Sequence, residues 1–156
     1  MSNRVEIVVN DLAGTEAFGH RLASLLFGGA VVALIGPLGA GKTHLVRAIA
    51  EGLGIRDPRL VSSPTFVLIQ EYNARLPIYH FDAYRLRAPA EFIDLGTHEY
   101  FEGKGVCLVE WADRVEDCLP KDHLRVELEI LGETGRRITL EARGSQYQAL
   151  LSSLLS

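Results

Sequence analysis

The sequence predicts a single α/β domain over residues 1–156, a three-layer sandwich with helices on both faces of a mixed sheet. Three observations predict it. The apolar run Ala30 to Ile35 is followed at once by a glycine-rich loop and then by a segment with helical periodicity. Two pairs of strand-like segments, each split by a short polar turn, read as antiparallel hairpins. The runs Ala30 to Ile35 and Val106 to Val109 are apolar throughout rather than alternating, as strands buried on both faces are. The centre of the sheet is therefore expected to be parallel and its flanks antiparallel.

Taken in order, Arg4 to Val9 alternates enough for a strand, and Thr15 is the expected N-cap of a helix burying Phe18, Leu22, Leu25 and Leu26. Gly28-Gly29 ends that helix and turns the chain into the apolar strand. From Lys42 onward, Leu45, Ile49 and Leu53 share one line with Val46 and Ala50 beside it, and Gly52 to Gly54 stops the helix before an irregular stretch through Pro58. Thr65 to Tyr72 and Leu76 to Phe81 form the first hairpin about Asn73-Ala74-Arg75. Pro89 to Leu95 is a short helix with proline in its first turn, and Thr97 to Glu102 adds another turn or two. Leu124 to Leu131 and Arg137 to Ala142 form a second hairpin about Gly132 to Gly135, with one solvated face. Ser145 to Leu155 is a terminal helix docking through Tyr147, Leu150, Leu151 and Leu154.

Composition sets limits on function. A hydrophobic content of 47% supports a sizeable core, while a net charge of −4 argues against a chain that grips nucleic acid unaided. A local basic patch of Arg75, Arg85 and Arg87 is one reading, and solvated loop arginines are the other. Without a signal-like N-terminus or an 18-residue apolar run, a soluble, cytoplasmic protein with no membrane contact is expected. Cys107 and Cys118 lack C-x-x-C spacing and read as reduced, structural thiols. The five histidines lack zinc-type spacing.

The loop carries the chemistry. Gly36 to Thr43 read G-P-L-G-A-G-K-T, a full match to G-x-x-x-x-G-K-[ST] between strand and helix, which makes the expected fold P-loop NTPase-like. In such a loop Gly36, Pro37, Leu38, Gly39, Ala40 and Gly41 wrap the phosphates of a nucleotide, their backbone N–H groups turned inward. The helix adds its unpaired N–H groups, at His44 among others, and the positive end of its dipole. Lys42 reaches the terminal phosphates, and the Thr43 hydroxyl is a Mg²⁺ ligand. A glycine turn with no ligand is the plain alternative.

Hydrolysis also needs a carboxylate near the metal and a means of positioning water or an acceptor. Asp82 and Glu110 each close an apolar strand, where ligands bind in open α/β sheets. Both are candidate catalytic acids alongside Lys42, with a strand-end or capping acid as the alternative for each. Thr65, in Ser62-Ser63-Pro64-Thr65, is a candidate nucleotide contact on a switch-like loop, or part of a simple turn. Trp111, the only tryptophan, either stacks near the nucleotide or a partner, or simply packs. The lack of an N-K-x-D segment favours ATP over GTP.

Four motifs in order, G-P-L-G-A-G-K-T at Gly36, S-P-T-F at Ser63, H-F-D-A-Y-R-L at His80 and V-E-W at Val109, resemble those of the bacterial TsaE (YjeE-type) ATPases. The resemblance runs from the Thr15 helix to Leu140. It implies an ATPase supporting formation of threonylcarbamoyladenosine, the modified base beside the anticodon in tRNAs reading codons that begin with A. It implies work with a TsaD–TsaB complex that transfers the threonylcarbamoyl group, tRNA being contacted indirectly. Carried over by position, Lys42 and Thr43 hold phosphate and Mg²⁺, Glu110 is a metal-site acid, Asp82 is needed for hydrolysis, and Thr65 belongs to the responsive loop. The family commonly has an acid where Pro37 stands and a second Thr where His44 stands, so a hydroxyl contact is lost at His44. Ala83 replaces a larger apolar residue. A small-molecule kinase and a nucleotide-binding regulator without turnover are the competing readings.

Overall fold

A computed structural model describes residues 3–62 and 68–156. The chain runs β1 (Arg4–Val9), α1 (Leu12–Leu25), β2 (Val31–Ile35), α2 (Lys42–Gly52), a 3-10 turn (Pro58–Leu60), β3 (Ile69–Tyr72), β4 (Ile78–Asp82), α3 (Pro89–Asp94), α4 (Thr97–Phe101), β5 (Val106–Glu110), kinked 3-10 turns (Ala112–Cys118), β6 (His123–Ile130), β7 (Arg136–Arg143) and α5 (Ser145–Leu154). Among the described residues seven strands form one sheet in the order β1-β7-β6-β2-β5-β4-β3. The central strands β6, β2, β5 and β4 are mutually parallel, while β3, β7 and β1 add antiparallel flanks. This is the expected mixed sheet. The non-alternating strands β2 and β5 are buried at every residue because helices cover both their faces.

Strand alternation divides the interior in two. Val32, Leu34, Val106 and Leu108 meet Leu22 of α1, Leu45 and Ile49 of α2 and Leu151 of α5. Val31, Ala33, Cys107 and Val109 point the other way, toward Phe92 of α3 and Val115. Helix α2 begins at Gly41 with no side-chain cap, a deficit of about 1 kcal/mol. Leu45 and Ile49 are both fully buried, and each contributes about 1.5–3 kcal/mol, so packing holds the helix and leaves its N-terminus open.

One expectation changes, one open alternative is decided and one element is new. Helix α1 starts one turn before Thr15, because Asp11 has an extended backbone and its side chain accepts a 2.8 Å bond from the Gly14 N–H. Thr15 is instead buried within the helix. The arginines do not form one patch: Arg75 donates to Ala23 O before the start of β4, whereas exposed Arg85 and Arg87 follow that strand's far end. The turns over Ala112–Cys118 have no counterpart in the sequence reading. Cys107 and Cys118 are both free, and burial pushes the Cys107 thiol up to about 12, as expected of an inert structural thiol. No helix among the described residues is long and apolar enough to cross a membrane.

His123, at the start of β6, is buried, with Nδ1 donating to Pro120 O at 2.8 Å. Burial lowers its pKa below the ordinary 6.5, with the Pro120 carbonyl opposing. The unfolded chain therefore takes up the proton first as pH falls below about 6.5, and folding stability drops at up to about 1.4 kcal/mol per pH unit. His123→Asn, which keeps a donor for Pro120, is expected to flatten that part of a denaturant-stability profile between pH 7 and 5. An unchanged slope would place the acid sensitivity elsewhere.

Candidate nucleotide site

The phosphate loop joins the end of β2 to the start of α2, at the carboxyl edge of the parallel strands. Gly39 and Gly41 have φ of 81° and 100°, a region costly for residues with a Cβ, and this lets the loop curl ahead of the helix. The first bond back into α2 runs from the Leu45 N–H to Gly41 O, and no acid occupies the first turn. The N–H groups of residues 42–44 thus present positive partial charge at the loop.

Glu110 ends β5 and Asp82 ends β4, and the two are register partners beside the loop. The Thr43 hydroxyl lies 3.0 Å from each Glu110 carboxylate oxygen, to which it donates. Asp82 is also buried, and its Oδ1 accepts from the Tyr84 N–H at 2.9 Å, so this acid turns the chain at the site's edge. Lys42 lies back against its own loop, donating to Gly36 O at 2.5 Å and Pro37 O at 2.9 Å. Burial lowers the Lys42 pKa, while Glu110, Asp113 and Asp82 favour its charged form.

Trp111 covers this arrangement. Its ring centroid lies 3.9 Å from the Lys42 ammonium, a cation–π contact, and 4.8 Å from the Tyr84 ring, which is tilted by 42°. Its backbone is left-handed, at φ 58° and ψ 38°, which costs about 1–2 kcal/mol in a residue with a Cβ. The strained turn aims the indole over the loop. A cavity of about 280 Å³ results, with Leu38, Gly39, Gly41, His44 and Trp111 on its walls and Lys42, Thr43 and Glu110 inside. Leu38 is 78% exposed at the loop tip, while Ala40 is buried beneath it. His44 Nε2 is 3.6 Å from Glu16 Oε1 on α1, within reach of charge attraction when the imidazole is protonated but too far for a hydrogen bond. Thr65 lies outside the described residues.

The donor set suits magnesium. Mg²⁺ takes hard oxygen ligands, usually one or two from protein and the rest from phosphate and water. Thr43 and Glu110 offer such oxygens side by side, and no cluster of three or more His, Cys, Asp or Glu among the described residues forms a metal cage of its own.

Sequence reasoning missed two supports. Arg136, buried at the start of β7, donates to Ala40 O at 2.8 Å, Gly39 O at 3.2 Å, Gly132 O at 3.1 Å and Gly135 O at 2.8 Å. It pins the phosphate loop to the β6–β7 turn, and nothing at the sequence level but a charge opening an alternating strand pointed to it. Arg136→Met strands the buried Ala40 carbonyl and three part-buried ones, and is expected to cost on the order of 3 kcal/mol. In a chain of this size that lowers the melting temperature by roughly 6–12 °C. Arg136→Lys, a point charge without the fork, restores little of it. A shift under about 2 °C in thermal denaturation would remove Arg136 from this role.

The second support is a buried polar chain. His80 is fully buried with Nε2 2.5 Å from Glu110 Oε2, and its Nδ1 meets the Tyr72 hydroxyl at 3.0 Å. The signal was available: strand alternation puts His80 on the same face of β4 as Asp82.

Comparison with known proteins gives matches in both sequence and fold. The family model described as "Threonylcarbamoyl adenosine biosynthesis protein TsaE" matches residues 9–138. The Bacillus subtilis tRNA threonylcarbamoyladenosine biosynthesis protein TsaE is 46% identical over 141 residues, covering 90% of this chain and 87% of that protein. The Treponema pallidum protein of the same name is 42% identical, covering 81% and 92%. The crystal structure of Bacillus subtilis YdiB superposes with a TM-score of 0.82 at 36% identity, covering 99% of this chain and 96% of that one.

Proposed function

This chain belongs to the TsaE family, and we propose on that premise that it is a magnesium-dependent ATPase serving tRNA threonylcarbamoyladenosine biosynthesis. One observation carries the ATPase reading: the Thr43 hydroxyl, both oxygens of Glu110 and the Lys42 ammonium converge at a glycine loop that opens a helix. Helix N–H groups and loop backbone bind the phosphates of ATP. Lys42 leaves its loop carbonyls to neutralise the terminal phosphates, which supplies charge stabilisation as phosphoryl transfer proceeds. Thr43 and Glu110 would hold Mg²⁺, which when bound offsets phosphate charge. Asp82, buried beside Glu110, shapes the electrostatics next to the terminal phosphate and is required for hydrolysis in this reading. Trp111 closes the cavity over Lys42, and Thr65 completes the nucleotide-responsive loop.

The finer role follows the family. ATP turnover by this chain keeps a TsaD–TsaB-type complex cycling as it modifies the adenosine beside the anticodon, with tRNA held by the partners in the cytoplasm. A small-molecule kinase would need a cationic lid. The segment after Arg87 is instead built into the fold: Phe92 of α3 and Phe101 of α4 pack against Phe81 of β4. The test is reconstitution with TsaD–TsaB, ATP, threonine, bicarbonate and tRNA. Modification beyond the first turnover is expected to require this chain. Equal modification without it would overturn the role.

A further inference from the structure

The polar chain behind Glu110 crosses the sheet. Tyr72 closes β3, and its hydroxyl lies 2.5 Å from Gln70 Oε1 and 3.0 Å from His80 Nδ1 on β4, with one proton to serve both. From His80 the chain passes to Glu110 on β5 and from there to Thr43 at the start of α2. Gln70 and His80 are register partners, as are Tyr72 and Ile78, so these side chains share the sheet face that α2 covers. One buried hydrogen-bonded line therefore joins β3 and β4 to the acid beside the phosphate loop.

Packing alone does not account for this line. A fully buried imidazole between an apolar strand and a helix would be replaced by an aliphatic residue at little cost were it only filling space, because each polar atom there must find a partner. Here both ring nitrogens have partners, and one of them is a carboxylate of the candidate metal site. A carboxylate has no proton to give, so Nε2 is the donor and Glu110 Oε2 the acceptor. With Oε2 held by His80, the carboxylate plane is set, and both of its oxygens lie 3.0 Å from the Thr43 hydroxyl. Burial pushes the Tyr72 hydroxyl up to about 12, which leaves it a protonated, neutral donor across the physiological range.

We propose that His80 and Tyr72 are positioning residues: they orient the Glu110 carboxylate for Mg²⁺·ATP. The inference rests on the reading of Glu110 as a metal-site acid. Outer-shell partners of metal-binding carboxylates typically matter by 10–100-fold.

Three variants of the full chain test it. Tyr72→Phe removes one oxygen, His80→Gln retains a donor toward Glu110 but loses Tyr72, and His80→Leu removes both contacts. The expected result is a kcat for ATP hydrolysis lower by about 10-fold in Tyr72→Phe and His80→Gln and by up to about 100-fold in His80→Leu. ATP affinity in EDTA stays within about twofold of wild type, and the Tyr72→Phe/His80→Gln pair is no worse than the worse single variant. Mg²⁺ concentrations needed for half-maximal ATP binding rise in the same order. Lower melting temperatures with unchanged kcat and unchanged Mg²⁺ dependence would overturn the proposal, leaving a structural role only. Should the wild type not hydrolyse ATP, the ATPase reading fails by itself. The Mg²⁺ dependence of nucleotide binding then decides the positioning role, an unshifted His80→Leu curve overturning it.

Discussion

Lys42→Ala is expected to weaken ATP binding by about 100-fold, corresponding to roughly 3 kcal/mol of charge-assisted bonding to the terminal phosphates. The side chain is 5% exposed and already desolvated, which makes its charge more effective toward a phosphate than a surface lysine would be. The variant also frees Gly36 O and Pro37 O and uncovers one face of Trp111, so the empty loop loosens. Titration with a fluorescent ATP analogue measures the loss. Lys42→Met, which keeps the apolar stem against Trp111, separates charge from packing. If both variants bind ATP as wild type does, Lys42 does not meet the phosphates, and the nucleotide site lies elsewhere.

Glu110→Gln is expected to lower kcat by about 100- to 1000-fold, the scale on which a single transition-state electrostatic group acts. The carboxamide is nearly the same shape and can still meet Thr43 and His80, so little stability is lost. What disappears is one negative charge that faces Thr43 at 3.0 Å and favours the charged form of Lys42. Binding of ATP in EDTA should change little, since no phosphate contact is removed, whereas the gain in affinity on adding Mg²⁺ should shrink. Steady-state phosphate release and binding with and without Mg²⁺ distinguish these effects. A variant that loses metal-free binding and turnover equally would mark Glu110 as structural.

Much of the architecture was legible because it is local. The apolar strand β2, the glycine loop and the periodicity of α2 are adjacent in the chain, and the two hairpins announce themselves by alternation and turn residues. Helix α1 was placed one turn late because Asp11 and Thr15 are both acceptable caps. Only the extended backbone at Asp11 decides between them. The candidate site was half legible. Lys42 and Thr43 sit in a motif, and Glu110 and Asp82 sit at strand ends, but that these two acids are register neighbours depends on β4 lying next to β5. Arg136 was invisible for the same reason taken further: its carbonyl partners Gly39 and Ala40 come from a part of the chain brought near only by the assembled sheet. His80 falls between these cases, since alternation places it beside Asp82 while its contact with Glu110 needs the neighbouring strand.

The central claim is that this chain turns over ATP at the Lys42–Thr43–Glu110 site in the service of tRNA modification. The most direct measurement is single-turnover phosphate release from Mg²⁺·ATP by the wild-type chain, alone and with a TsaD–TsaB complex engaged in modifying tRNA. The account predicts slow release by the chain alone, faster release with the complex, and loss of both in Glu110→Gln. Continued modification without any phosphate released from this site would contradict it and make the chain a nucleotide-sensing regulator.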